Sequence, residues 1–146
     1  MNQKILNNET LTVDNGKIHV KCTYTDRVLY LNELMISGSE YNWSSGAPLG
    51  VCMISGEREN PILYSSCRCE KNTASDGTIS IELFGILEDS SELTWTLTVY
   101  PQFFGFGMSA SLYNPTDKTI ENMQCLQPAF FEIKMAEYDV YTYWSS

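Results

Sequence analysis

The residues that could perform acid–base or nucleophilic chemistry are few. His19 is the single histidine of the chain, so a Ser–His–Asp or Cys–His arrangement would have to use it. It lies between Lys17 and Lys21 in an alternating run, on the face that should meet solvent. The sequence also lacks a nucleophile elbow, a zinc-protease helix motif and a phosphate-binding loop. We therefore predict that this chain is not an enzyme.

Carboxylates and thiols offer two further chemistries. Eighteen Asp and Glu residues could supply a glycosidase pair, but most fall in turns, and we interpret even the mid-strand Glu82 and Glu132 as surface residues. Cys67 and Cys69 flank Arg68 and should share one strand face, yet zinc requires further ligands. We predict no metal and no cofactor. The five cysteines, an odd number without a CxxC pair, favour free buried thiols in a reducing compartment: Cys22, Cys52, Cys67, Cys69 and Cys125.

Aromatic residues point to a binding chemistry. Trp43 lies in a Gly- and Ser-rich loop, 37–48, with Tyr41 two residues earlier. Tyr141 and Tyr143 are two residues apart and share one face of a predicted strand near the C-terminus. Planar rings with polar tips can stack on the C–H faces of pyranoses, but they can equally fill a core or seal a domain interface. If the chain binds carbohydrate, we expect these four rings to form the site, with Trp43 exposed.

The elements that must position these residues are strands. In 93–100 apolar residues alternate with threonines and a final tyrosine, and in 104–113 they alternate with Gly, Ser and a final tyrosine, which predicts two successive one-face-apolar strands. Trp95 and Phe104 are predicted core residues. An earlier hairpin is predicted around Asn15-Gly16, with a type I′ turn formed by that pair.

Further strand-like runs recur at short intervals, and no segment has helical periodicity. About ten strands in 146 residues predict an all-β fold, an antiparallel two-sheet β-sandwich, although a barrel gives the same pattern. One domain, 1–146, fits this length. The abrupt aromatic end of the chain suggests a domain excised from a longer protein.

Charge and hydropathy limit the partners. Nine basic and eighteen acidic residues give a net charge of −9 without a basic stripe, so nucleic acids and anionic membranes are poor partners. No run approaches the ~18 apolar residues of a membrane-spanning helix, and the N-terminus lacks the apolar core of a signal peptide. Nothing in the sequence indicates the oligomeric state.

Four short motifs carry a family resemblance: Leu93-Thr94-Trp95, Val99-Tyr100-Pro101, Leu112-Tyr113-Asn114 with its polar turn, and the Tyr141–Trp144 pair. Over residues 93–144 this pattern resembles the non-catalytic N-terminal domain of melibiase-type α-galactosidases. That domain is usually longer, and basic residues stand in it where this chain has FFGFGMSA. The resemblance implies a β-sandwich whose catalytic carboxylates belong to an adjoining barrel, so no catalytic residue is carried over onto this chain.

Two functions follow as hypotheses. The first is a non-catalytic accessory or carbohydrate-binding domain of a glycoside hydrolase, whose partner is a sugar or the adjoining catalytic domain. The second is a free-standing protein-interaction module without a sugar ligand, which the acidic surface and the aromatic C-terminal end fit equally well.

Overall fold

The structure is a computed structural model that describes residues 4–5, 8–54, 60–117, 119 and 123–127, with the backbone alone described at 4–5, 51–54 and 123–127. Every regular element among these residues is a β-strand, and they contain no helix, which confirms the all-β prediction for this part of the chain. Accordingly, no helix of these residues is long and apolar enough to cross a membrane.

The strands form three antiparallel sheets, with the orders β1-β7-β8-β9-β10, β2-β3-β4 and β11-β5-β6. Their bounds are β1 Lys4–Ile5, β2 Glu9–Asp14, β3 Ile18–Thr25, β4 Val28–Ile36, β5 Val51–Ile54, β6 Asn60–Pro61, β7 Tyr64–Thr73, β8 Ile79–Leu87, β9 Glu92–Val99, β10 Phe106–Tyr113 and β11 Met123–Gln127. The predicted total of about ten strands for the whole chain stays a prediction.

Alternation along β3 and β9 shows why these segments form sheets with one covered face. In β3 every second residue from Ile18 is buried. In β9 the apolar set is at most 3% exposed, and the threonines between them are half-buried on the other face. A period of two is the signature of a strand with one buried face, and this part of the sequence-based prediction is confirmed.

One hydrophobic cluster draws on two of the sheets. It includes Val20 and Leu31 from the sheet of β2–β4 and Leu83, Trp95 and Leu97 from the five-stranded sheet. Trp95 is thus a core residue, as predicted. Burial of this apolar surface is the main stabilising contribution to such a fold.

Two cysteines of this cluster are unsuited to thiolate chemistry. Cys22 and Cys67 are free and buried, and desolvation raises the pKa of each thiol to about 12. Cys69 is likewise a thiol outside any disulfide, and it packs against the same cluster, so Cys67 and Cys69 do share one face of β7. Because only the thiolate is a strong nucleophile and metal ligand, Cys22 and Cys67 act as small apolar groups.

Phe104 is not a core residue, contrary to the sequence-based prediction. Its side chain is 68% exposed, and the strand that was predicted to contain it begins two residues later, at Phe106. Phe104 lies in the connection between β9 and β10, where strand alternation no longer determines which way a side chain points. Lys17 places its ammonium 5.4 Å from the centre of the Phe104 ring.

The first hairpin is present, but its turn differs from the predicted one. Asp14 pairs with His19, and Gly16 has a positive φ of 78° whereas Asn15 does not, so Asn15-Gly16 does not form a type I′ turn. Instead, the side-chain Oδ1 of Asn15 accepts hydrogen bonds from the amides of Lys17 and Ile18. This local side-chain bonding replaces the turn geometry that the dipeptide favours.

A pair of positive φ angles occurs in the next hairpin. Asp26 and Arg27, between β3 and β4, have φ values of 49° and 69°, the combination that defines a primed two-residue turn. No local sequence signal marks this turn, because Asp-Arg lacks the usual glycine. The Arg27 side chain is anchored on both sides, since Nε donates to the carbonyl of Tyr64 and the guanidinium pairs with Glu88 at 2.6 Å.

Candidate ligand-binding groove beside Trp43

An apolar groove of about 320 Å³ opens where β3 and β4 meet the connection between β9 and β10. We call it the Trp43 groove; its main lining residues are Ile18, Leu34, Ile36, Trp43, Phe104 and Phe106. The volume is at the lower end of the range for small-molecule sites. Ile36 and Phe104 remain 45% and 68% exposed, so the groove presents apolar surface to solvent.

Asn42 holds the loop that carries Trp43. Its side-chain Oδ1 accepts hydrogen bonds from the amides of Leu34 and Ser44, both at 3.0 Å, and its Nδ2 donates to the carbonyl of Asn32 at 2.8 Å. The amide of Trp43 itself donates to the carbonyl of Leu34 at 2.9 Å. The backbone on both sides of Trp43 is therefore fixed to β4, although it has no regular structure of its own.

The indole of Trp43 is half-buried rather than fully exposed, contrary to the sequence-based expectation. Part of it packs against the hydrophobic cluster, and the ring of Tyr41 meets it edge-on, with the centroids 4.9 Å apart and the planes at 79°. This T-shaped contact is a favourable aromatic geometry. Tyr41 and Trp43 thus contact one another, and part of the Trp43 ring lines the groove.

Two phenylalanines that the sequence did not suggest as site residues lie near the groove. Phe103 and Phe104 are 63% and 68% exposed. The connection that carries them is braced by an edge-on contact between Tyr100 and Phe103 and by a 2.8 Å hydrogen bond from Asn15 to the carbonyl of Tyr100. The Tyr100-Pro101 break at the end of β9 is a loop signal that could have identified these exposed rings.

A polar pocket of about 250 Å³ adjoins the groove, and Met35 and Ile36 line both. Its centre is His19, whose Nδ1 lies 3.2 Å from Asp14 and whose Nε2 lies 3.1 Å from Glu33. Lys21 donates to the other oxygen of Glu33 at 2.6 Å. His19 faces outward as predicted, but its closest charged contacts are carboxylates, because the strand register places Asp14 directly opposite it.

Hydrogen bonds hold both carboxylates of this pocket in the charged form. The pKa of Glu33 is lowered chiefly by the hydrogen bond from Lys21, and that of Asp14 chiefly by the backbone amide of Gly16. The imidazole of His19 fills the space between the two carboxylates. This arrangement can accept hydrogen bonds from a ligand.

The remaining predicted site residues cannot be placed with these. Tyr141 and Tyr143 lie outside the described residues, as does Glu132, whereas Glu82 is half-buried in β8. Among the residues that the structure describes, no group of three or more His, Cys, Asp or Glu side chains is arranged to hold a metal ion.

Comparison with known proteins gives no relative for this chain. No family model matches it, nor does any curated protein or solved structure.

Proposed function

We propose that this chain is a non-catalytic β-sandwich accessory domain of a glycoside hydrolase and that it binds carbohydrate at the Trp43 groove. The observation that carries the proposal is the position of Trp43. Its ring is fixed by its neighbours, lines an open groove and lies beside a pocket of hydrogen-bond acceptors. A saccharide needs both features, an apolar platform for its C–H face and polar groups for its hydroxyls.

The polar half of the site suits hydroxyl ligands. A carboxylate offers about four acceptor positions. Asp14 contacts His19, the Gly16 amide and the Ser37 hydroxyl, and Glu33 contacts His19 and Lys21, so both retain some acceptor capacity. The Ser37 hydroxyl donates to Asp14 and can still accept, and the Ser39 hydroxyl, which lines the same pocket, accepts from the Tyr41 amide and can donate. These groups could hold the hydroxyls of a sugar that extends from the groove across Met35 and Ile36.

A non-catalytic role is supported by the chemistry of the described residues. The carboxylates of the pocket are separated by an imidazole that contacts both, and the buried thiols Cys22 and Cys67 have raised pKa values. A sandwich arrangement is supported by the hydrophobic cluster that draws on both larger sheets, and it agrees with the family resemblance of residues 93–144.

Titration of neutral oligosaccharides, galactosides first, tests this function by calorimetry. We expect Trp43→Ala to weaken binding about tenfold, since an aromatic platform contributes up to about 1.5 kcal/mol beyond its buried area, and Trp43→Phe to retain part of the affinity. Tyr113→Ala is the matched control, because Tyr113 is an exposed ring on β10 outside the groove. Equal affinity of Trp43→Ala and the parent would refute the assignment.

A second candidate function is favoured by Phe103 and Phe104. These exposed rings carry no polar tip, and protein partners cover such surface more often than sugars do. In this alternative the chain is a free-standing protein-interaction module. It is supported if a purified protein partner loses affinity when Phe104 is changed to Ser while no sugar in the panel binds. Saccharide binding that is sensitive to Trp43 decides against it.

A further inference from the structure

A second concave surface lies on the outer face of the five-stranded sheet, and the Trp43 groove does not include it. It is a depression of about 520 Å³ between β7, β8 and β9, which we call the Arg68 depression. Strand register arranges its floor in two rows of three: Ser66, Ile86 and Glu92, then Arg68, Phe84 and Thr94.

This grid has polar corners and an apolar middle. Ser66 and Arg68 stand on β7 and Glu92 and Thr94 on β9, while Phe84 and Ile86 lie between them on β8. From ordinary sheet spacings, the outer columns are roughly 10 Å apart and the rows roughly 7 Å apart. That is the size and polarity of one sugar ring, which has an apolar face and hydroxyls around its edge.

The guanidinium of Arg68 makes an aromatic contact. The centre of its guanidinium lies 4.9 Å from the centroid of the Phe84 ring, a cation–π arrangement. The guanidinium is planar and presents several N–H donors in fixed directions. Glu92, at the diagonally opposite corner, is exposed and supplies acceptors, and Ile86 is 44% exposed between the corners.

We infer that the Arg68 depression binds one ring of a neutral saccharide. The ring lies over Ile86 and the Arg68 guanidinium. Its hydroxyls form hydrogen bonds with Arg68, Glu92 and their neighbours. The volume lies within the 300–1,000 Å³ range of small-molecule sites. A neutral ligand fits because the net charge of −9 and the carboxylate of Glu92 disfavour anions. The ligand class rests on the proposed function, whereas the location of the site does not.

The Trp43 groove and the Arg68 depression are separate. The groove borders the end of β9 near Val99, where Phe106 is paired, and the depression borders the start of β9 at Glu92 and Thr94. The side chains that form the grid are also on the sheet face opposite the buried side chains of Leu83 and Trp95. A ligand in the depression therefore does not depend on the indole of Trp43.

The test is a titration of isotope-labelled protein with galacto-, gluco- and manno-oligosaccharides, followed by amide chemical shifts and calorimetry. We expect shifts around Ile86, Glu92 and Thr94 that persist in Trp43→Ala. We also expect an affinity loss of at least tenfold at this site in Arg68→Gln. Lys71→Gln is the matched control, since Lys71 is an exposed cation on the same strand; it should bind as the parent does.

The outcomes separate the two proposals. Shifts confined to the Trp43 groove overturn this inference and leave the proposed function standing. Shifts in the depression with none in the groove support the inference and overturn the Trp43 assignment. Absence of binding by every saccharide at millimolar concentration overturns both. If Arg68→Gln lowers the midpoint of thermal unfolding, Glu92→Gln provides the same test from the opposite corner.

Discussion

The ring of Tyr64 lies directly against the backbone of Gly85, in the space where any other residue would place its Cβ. A Cβ added at Gly85 would overlap the Cδ1 and Cε1 atoms of that ring. Tyr64 is 4% exposed, and its ring also contacts Tyr24 of the β2–β4 sheet edge-on, with the ring centroids 6.3 Å apart. The missing side chain of Gly85 thus lets one aromatic residue pack across the core beneath the Arg68 depression.

Gly85→Ala should therefore destabilise the fold strongly. Overpacking a closed core costs typically 1–3 kcal/mol, and we expect a loss of about 3 kcal/mol in the free energy of unfolding measured by urea denaturation. Gly107→Ala is the matched control, because its Cβ would make only an ordinary 3.5 Å contact with Tyr100; it should be neutral or slightly stabilising. Combining Gly85→Ala with Tyr64→Ala should cost less than the sum of the two, and strict additivity would contradict the contact.

Asn42 should be the residue that positions Trp43. Asn42→Ala removes the acceptor of two backbone amides and one donor, and unsatisfied buried groups cost about 1–3 kcal/mol. We expect a loss of stability in that range and a red-shifted, more quenchable tryptophan emission. Asn72→Ala, at an exposed position on β7, should change neither property. An unchanged emission spectrum in Asn42→Ala would show that the loop holds Trp43 by other means.

The contribution of Glu33 to stability should depend on pH. Its pKa is lowered in the folded state, first by Lys21, so its contribution is complete above the ordinary value of 4.5 and is lost as the pH falls through the lower folded value. Because the pair is partly exposed, we expect Glu33→Gln to cost less than about 1 kcal/mol at pH 7 and progressively less as the pH falls below the ordinary value.

Urea denaturation of both proteins at several pH values measures this difference. Glu40→Gln, which changes an exposed carboxylate in the following loop, serves as the control and should match the parent throughout. A Glu33→Gln deficit that is the same at pH 3 and pH 7 would contradict the role of the ionised pair.

Arg27 should show a reversed preference between alanine and glycine. At a φ of 69° an L-residue with a Cβ is strained by about 1–2 kcal/mol, whereas glycine is not. Both Arg27→Ala and Arg27→Gly lose the bonds to Tyr64 and Glu88, so their difference isolates the strain. We expect the glycine variant to be more stable by about 1 kcal/mol. At Lys71, within β7, the alanine variant should be more stable than the glycine variant. The same order of stability at Arg27 and Lys71 would contradict the turn geometry.

The sequence predicted those features that depend on local alternation. The strand β9 was located to within one residue at each end, because its apolar and threonine residues alternate without a break and its buried face is complete. Phe104 was misplaced because the apolar alternation of the second run begins two residues before β10 does. Those two residues belong to the connection, where alternation does not determine which side chain is buried.

Features that depend on the register in which strands pair could not be predicted. The Asp14–His19–Glu33 contacts follow from the registers of two hairpins, and the turn of the first hairpin is shifted from the one that Asn-Gly favours. The Arg68 depression likewise requires three strands in one register. Tyr41 and Trp43 were identified because a Trp in a Gly- and Ser-rich loop is unusual, but their contact with the core came from tertiary packing.

The most direct test of carbohydrate binding at the Trp43 groove is the indole N–H spectrum of the three tryptophans during a titration with neutral oligosaccharides. We expect the Trp43 resonance, assigned by its loss in Trp43→Phe, to move in a saturable way, while that of Trp95, which is 3% exposed, stays in place. A Trp43 resonance that does not move at saccharide concentrations that saturate calorimetric binding would contradict the account.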